Sequence, residues 1–310
     1  MCITKVSSMC LGLLCFAVSG CATNPLTGDE ELMFFQEDYD FKIGEAIAPD
    51  LEEAMDGRIH DEGLQRYVDR VGQKIARVCH HPEWDYHYIA VESEQVNALA
   101  LPGGYIFITR GMLSKLDSEA QLAAILGHET AHVVGRDSMN AMSKQTGMQI
   151  AAIAAGVADP SAGAGAFYAG QFLMLTYSRE DETQADLSGL DYMVEAGYDP
   201  LGMIDVMEVL EGLMKRRPVE FFSTHPLPEN RLHRLRQKIA LRYPTASGSK
   251  RVGHNDYKAQ ILDYLAAHPA PKKQKRKRPP SPQLNPEQRR ALQEALAHTP
   301  YCMVTGCSDH

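Results

Sequence analysis

The chain has 310 residues, 44% of them hydrophobic and 23% charged, with a formal net charge of −9. That balance excludes a wholly disordered or collagen-like polymer, and the acidic excess excludes a dedicated nucleic-acid binder, whose footprint is basic. The charge is uneven: residues 270–310 hold eight Lys/Arg against three Asp/Glu, a balance of +5 that leaves −14 for an acidic body.

Residues 1–20 read as an export signal. Lys5 supplies positive charge and Met9 to Val18 form an apolar run of ten residues, about half of the ~20 that a membrane-spanning helix needs. The run ends in Val18-Ser19-Gly20-Cys21, small residues before a cysteine that resemble the lipobox of bacterial lipoproteins. The resemblance implies cleavage before Cys21 and lipid on its thiol. Ala22, rather than Asp, in the next position implies sorting to the outer membrane, facing the periplasm. Cys2, Cys10 and Cys15 leave with the signal, Cys302 and Cys307 are close enough to pair in an oxidising compartment, and Cys79 reads as a buried small apolar side chain.

From Cys21 to Tyr243 apolar residues recur periodically without low complexity, so residues 21–243 are expected to form one domain. Its class is α+β, predominantly helical, with a small sheet. Tyr86 to Val91 reads as a strand. Asn97–Leu101 and Tyr105–Thr109 flank Pro102-Gly103-Gly104 and read as a hairpin. Ser118 and Gln121 have capping-box spacing and open a helix with Leu122, Ile125 and Leu126 on one face, ending near Gly135. Residues 147–176 are rich in Ala and Gly, but Asp159-Pro160 and Gln171 interrupt them, which predicts two short helices around a Ser161–Gly165 loop rather than a membrane span. Further helices are expected over Arg179–Ala196, Pro200–Lys215 and Glu229–Arg242. Residues 244–285 read as a weakly helical segment followed by a basic, Pro-rich linker, and residues 286–310 as a short helix and tail. The Lys272–Arg278 run suits anionic lipid headgroups.

The chemistry concentrates at His128-Glu129-Thr130-Ala131-His132. On a helix, His at i and i+4 share a face one turn apart, so both imidazoles reach one metal ion. Glu129 then stands beside the ion, where it can take a proton from water. Catalytic zinc needs a third protein ligand. One zincin class supplies a His three residues after a Gly, but Ser138 follows Gly135 here, so the ligand must come from another segment. Glu180, Asp181, Glu182 and Asp186 are the candidates, with Glu182 and Asp186 on one helix face. The hairpin offers a second element: an edge strand at Asn97, Ala98 and Leu99 can pair with an extended peptide through main-chain hydrogen bonds.

Four ordered motifs are similar to those of the HtpX/BepA-type zinc metallopeptidases, gluzincins related to the CAAX prenyl proteases. They are Asn97 to Gly104, His128 to His132, Tyr177-Ser178-Arg179 with Glu182 to Asp186, and Thr224-His225-Pro226 with Arg231. The opening Cys21 to Gly28 resembles periplasmic lipoprotein members. The resemblance implies a zincin-type fold and one Zn2+ held by His128, His132 and Glu182, with Glu129 as catalytic base and Asp186 behind a ligand histidine. It makes His225 either a resting zinc ligand or a donor to the developing oxyanion, and Arg231 a substrate or transition-state contact. The expected protein is a lipid-anchored zinc endopeptidase acting on unfolded or misassembled envelope proteins; the competing expectation is an assembly factor for outer-membrane proteins, working with the outer-membrane assembly machinery, whose proteolysis is latent.

Overall fold

The computed structural model describes residues 21–33, 37–145, 173–215, 219–226, 230–245, 248 and 250–271. The expectations for residues 1–20, for the Ala/Gly-rich stretch up to residue 172 and for residues 272–310 lie outside the described residues.

The chain opens with a short antiparallel pair, β1 (Cys21–Thr23) and β2 (Glu30–Leu32). Helix α1 (Glu37–Ala54) follows, then α2 (Glu62–Ala76), whose N-cap Asp61 accepts the Leu64 amide. Strands β3 (His87–Val91), β4 (Ala98–Ala100) and β5 (Tyr105–Thr109) form a three-stranded sheet in the order β3-β5-β4. The expected hairpin is present: β4 and β5 are antiparallel, and Pro102–Gly104 make one 3-10 turn in which Gly103 takes a φ of 73°. β3 runs parallel to β5. After the short α3 (Arg110–Leu113) come α4 (Glu119–Gly135), α5 (Asp137–Gln145), α6 (Arg179–Glu195), α7 (Leu201–Met214), α8 (Phe221–Thr224) and α9 (Arg231–Arg242). The 244–268 segment, expected to be weakly helical, forms α10 (His254–Tyr257), a π-helical turn (Lys258–Leu262) and α11 (Asp263–Ala267). Buried Tyr257 and Ile261 hold it to the core. No helix among the described residues is long and apolar enough to cross a membrane.

Strand periodicity divides the sheet between two cores. Ala98, Ala100, Ile106 and Ile108 face the larger core with α2 and α4, while Ile89, Leu99 and Phe107 face Ile43, Ile47 and Leu51 of α1. Every residue of α4 is buried. It is the central helix, enclosed on all sides, which explains its lack of a polar face.

The start of α4 departs from expectation, while its end does not. Ser118 caps α4 by accepting the Gln121 amide, but Gln121 Oε1 accepts from Asp117 N instead of closing the reciprocal half of the box. The complete box lies at the start of α6, where Ser178 Oγ accepts from Asp181 N and Asp181 Oδ2 from Ser178 N. At its other end α4 stops at Gly135, as expected, and Arg136 turns left-handed, at φ 56°. A guanidinium clamp on Asp40 of α1, at 2.6 and 2.8 Å, holds that unusual conformation for a residue with a Cβ.

The crossing of α4 and α6 sets the site. A Cβ on Gly127 would lie 2.8 Å from the Gly189 carbonyl oxygen, and one on Gly189 would lie 2.7 Å from the His128 amide nitrogen. Only glycine at both positions allows this backbone-to-backbone approach.

Candidate metal centre

The helical spacing of α4 turns His128 and His132 to the same side, with their Nε2 atoms 3.1 Å apart. Through the glycine crossing, α6 brings Glu182 over this pair: its Oε1 lies 3.4 Å from His132 Nε2 and its Oε2 3.7 Å from His128 Nε2. His225, just beyond α8, closes the group, with Nδ1 2.8 Å from Glu182 Oε1 and 3.3 Å from His128 Nε2. All four side chains are buried, and one potential ligand atom from each falls within 4.8 Å of the others. Glu129 stands alongside, its Oε1 3.6 Å from His225 Nε2.

Of the four acids proposed for the third position, Glu182 is the one in the cluster. Asp181 is consumed by the cap of α6, Glu180 is exposed, and Asp186 sits behind the ligand atoms. Asp186 Oδ1 lies 3.1 Å from His128 Nδ1, close enough for an ion pair but off the line of a hydrogen bond. Its directed bond comes from Arg231 Nη2. Arg231 is itself buried, and its Nη1 lies 3.5 Å from Glu182 Oε2, so the guanidinium neutralises two carboxylates.

Both carboxylate oxygens of Glu129, Glu182 Oε2 and His225 Nε2 are buried without a hydrogen-bond partner among the described residues. Such atoms are rare in folded proteins and mark strain or a missing ion. Three imidazoles and a carboxylate converging on one point form a nitrogen/oxygen donor set that suits zinc, so the residues present fit a divalent cation.

Charge around the cluster is strongly coupled. Burial opposes a charged His132, but Asp137 and Glu182 outweigh it and push the pKa up to about 10. Burial pushes the Asp137 carboxyl up to about 6, against the pull of His132. Burial also lowers His128. Glu182 is held well below the usual carboxylate range; burial works against this, and His225 and His132 overcome it.

Several contributors went unrecognised in the sequence. Asp137 Oδ2 lies 2.6 Å from His132 Nδ1. The Tyr177 ring stacks on His132 at 4.0 Å and 11°, and Phe221 stacks on His225 at 4.3 Å and 14°. Tyr177 stood within a motif but had no role, and Asp137 follows the helix end that was expected at Gly135. Asn97, Ala98 and Leu99 lie outside the cluster, at the sheet edge formed by β4. There Ala98 N donates to Asn97 Oδ1 and Ala100 O accepts from Ser138 Oγ. Cys21 opens β1.

Comparison with known proteins agrees with this geometry. A family model described as Peptidase family M48 matches residues 62–239. The chain is 29% identical over 220 residues to a putative beta-barrel assembly-enhancing protease of Vibrio cholerae, covering 66% of this chain and 45% of that protein. It is 28% identical over 187 residues to the beta-barrel assembly-enhancing protease of Escherichia coli K12, 56% of this chain and 38% of that one. With the mitochondrial metalloendopeptidase OMA1 of Schizosaccharomyces pombe it shares 33% over 175 residues, 55% of this chain and 52% of that one. The chain thus spans about half or less of the length of these relatives. Since the family model covers more than half of the chain, from α2 through most of α9, and takes in all four residues of the cluster, the chain belongs to peptidase family M48.

Proposed function

We propose that this chain is a zinc-dependent endopeptidase in which His128, His132 and Glu182 hold one Zn2+. The observation that carries the reading is the buried four-residue cluster with the carboxylate of Glu129 beside it. Bound zinc supplies a Lewis acid that acidifies water and polarises a carbonyl. Glu129 takes the proton of the attacking water and later delivers it to the leaving amine. Among the described residues no group hydrogen-bonds its carboxylate, which leaves both oxygens available for this exchange. Arg231 holds Asp186 and balances the negative charge of Glu182, a supporting role suggested by its burial.

His225 acts as a resting ligand. Its imidazole lies within the group, against Glu182 and His128, where it would block the position that water and substrate need. The enzyme is then latent until the segment carrying His225 moves. Substrate pairs with the β4 edge at Asn97, Ala98 and Leu99. Since Ala98 N and Ala100 O already have partners, an incoming peptide exchanges those bonds or pairs between them.

Lipid attachment at Cys21, an outer-membrane location facing the periplasm and a role in envelope protein quality control complete the proposal. The Val18 to Cys21 sequence and the relatives named as beta-barrel assembly-enhancing proteases support it. The buried position of His225 also favours the second reading, an assembly factor with mostly latent proteolysis; that reading requires the cellular role to survive loss of Glu129.

The test is casein cleavage with zinc quantified in the same samples. Glu129→Gln is expected to keep its zinc and lose about 100-fold or more of its cleavage rate, the usual contribution of a general base. Unchanged cleavage would remove Glu129 from the mechanism.

A further inference from the structure

We propose that Asp137 is a positioning residue for the metal centre, accepting the Nδ1–H of His132 so that this imidazole presents Nε2 to the ion. The inference rests on the zinc reading above. Its geometric basis is the 2.6 Å contact between Asp137 Oδ2 and His132 Nδ1, both side chains being buried. A carboxylate on one ring nitrogen fixes the tautomer and orientation that the other nitrogen needs as a ligand.

The local chain is built to make this contact. Asp137 lies just past the end of α4, and the left-handed turn at Arg136 folds it back toward the helix it has left. The Asp40 clamp on Arg136 ties that turn to α1. Gly135 leaves the necessary space: a Cβ there would lie 2.8 Å from Asp137 Oδ1. Tyr177 stacks on the ring face, so His132 is held at both its edge and its face. The corresponding contact of His128 is looser, since Asp186 meets its Nδ1 off-line and gives its directed bond to Arg231. His132 is therefore the anchored member of the pair.

The experiment measures zinc affinity of the full chain by competition with a chromophoric chelator, with the melting temperature of the metal-free protein as a folding control. Asp137→Ala is expected to weaken binding about 10- to 100-fold, as loss of such a partner does elsewhere. Asp137→Asn should restore affinity to within a few-fold of wild type, because its amide oxygen still accepts from Nδ1–H. Gly135→Ala should also weaken zinc binding, because its methyl displaces Asp137 from His132. Asp137→Ala binding as tightly as wild type would overturn the proposal, as would Asp137→Asn binding as poorly as Asp137→Ala. If Asp137→Ala does not fold, undiminished affinity in Gly135→Ala overturns it. A wild-type chain that binds no zinc would instead overturn the metallopeptidase reading itself.

Discussion

His225 is the residue on which the proposed latency turns. Phe221 stacks on its ring, and Nδ1 touches Glu182, so it is packed into the cluster rather than left on a mobile surface loop. If the competent form makes up about a tenth of the population, removing the blocking imidazole raises peptide cleavage about tenfold. His225→Ala is therefore expected to cleave casein faster than wild type in a steady-state assay. A fall would assign His225 to the oxyanion instead. The pair of helical histidines was legible because i, i+4 spacing has a single geometric meaning on a helix. Choosing among Glu180, Asp181, Glu182 and Asp186 needed more: only the cap of α6 shows that Asp181 is occupied, and only the crossing with α4 shows which acid overhangs the histidines.

That crossing sets the tolerances of the elements. Gly189→Ala would drive a methyl into the backbone at Gly127 and His128, atoms that cannot rotate away. The expected cost is about 1–3 kcal/mol, the usual penalty for overpacking, read as a lower midpoint in denaturant, together with a loss of zinc affinity as α6 lifts Glu182. At the start of α4 the buried Glu119 joins three segments. Its carboxylate accepts from Tyr67 of α2, from Tyr198 beyond α6 and from both ends of the Arg251 fork. Burial opposes its charge, but Arg251, Tyr198 and Tyr67 prevail and hold the pKa at about 2, down from 4.5. A depressed carboxyl contributes stability that is complete above the unfolded value and is lost as pH falls toward the folded one. Wild type should therefore lose this contribution between about pH 4.5 and 2. Glu119→Gln should be less stable at neutral pH by about 1–3 kcal/mol and show a flatter acid limb in thermal melts. Most helix limits were readable from their punctuation, such as Gly197-Tyr198-Asp199-Pro200 after α6. The parallel pairing of β3 with β5 was not, because β4 comes between them in sequence and on the other side of β5 in the sheet. Nor was the role of Gly127 and Gly189, whose meaning appears only once the two helices are known to touch.

For the whole molecule, the fold mounts the cluster on a fully buried helix and ties the N-terminal strands to it. Asn24 and Asn140 both donate to the Glu31 carboxylate, and Gln184 of α6 donates to Asn24. A lipid on Cys21 would thus be attached to a strand already joined to the elements of the site. Cys21→Ser is expected to shift the protein from the membrane fraction to the soluble fraction and abolish labelling by a radioactive fatty acid; unchanged partitioning and labelling would exclude the anchor. The central claim is that α4 and α6 together grip one divalent ion. The most direct measurement is the zinc content and zinc affinity of purified wild type beside Glu182→Gln. One zinc per wild-type chain, with affinity reduced at least about tenfold in the variant, is the predicted result. No zinc in the wild type, or equal affinity with and without the Glu182 carboxylate, would contradict it.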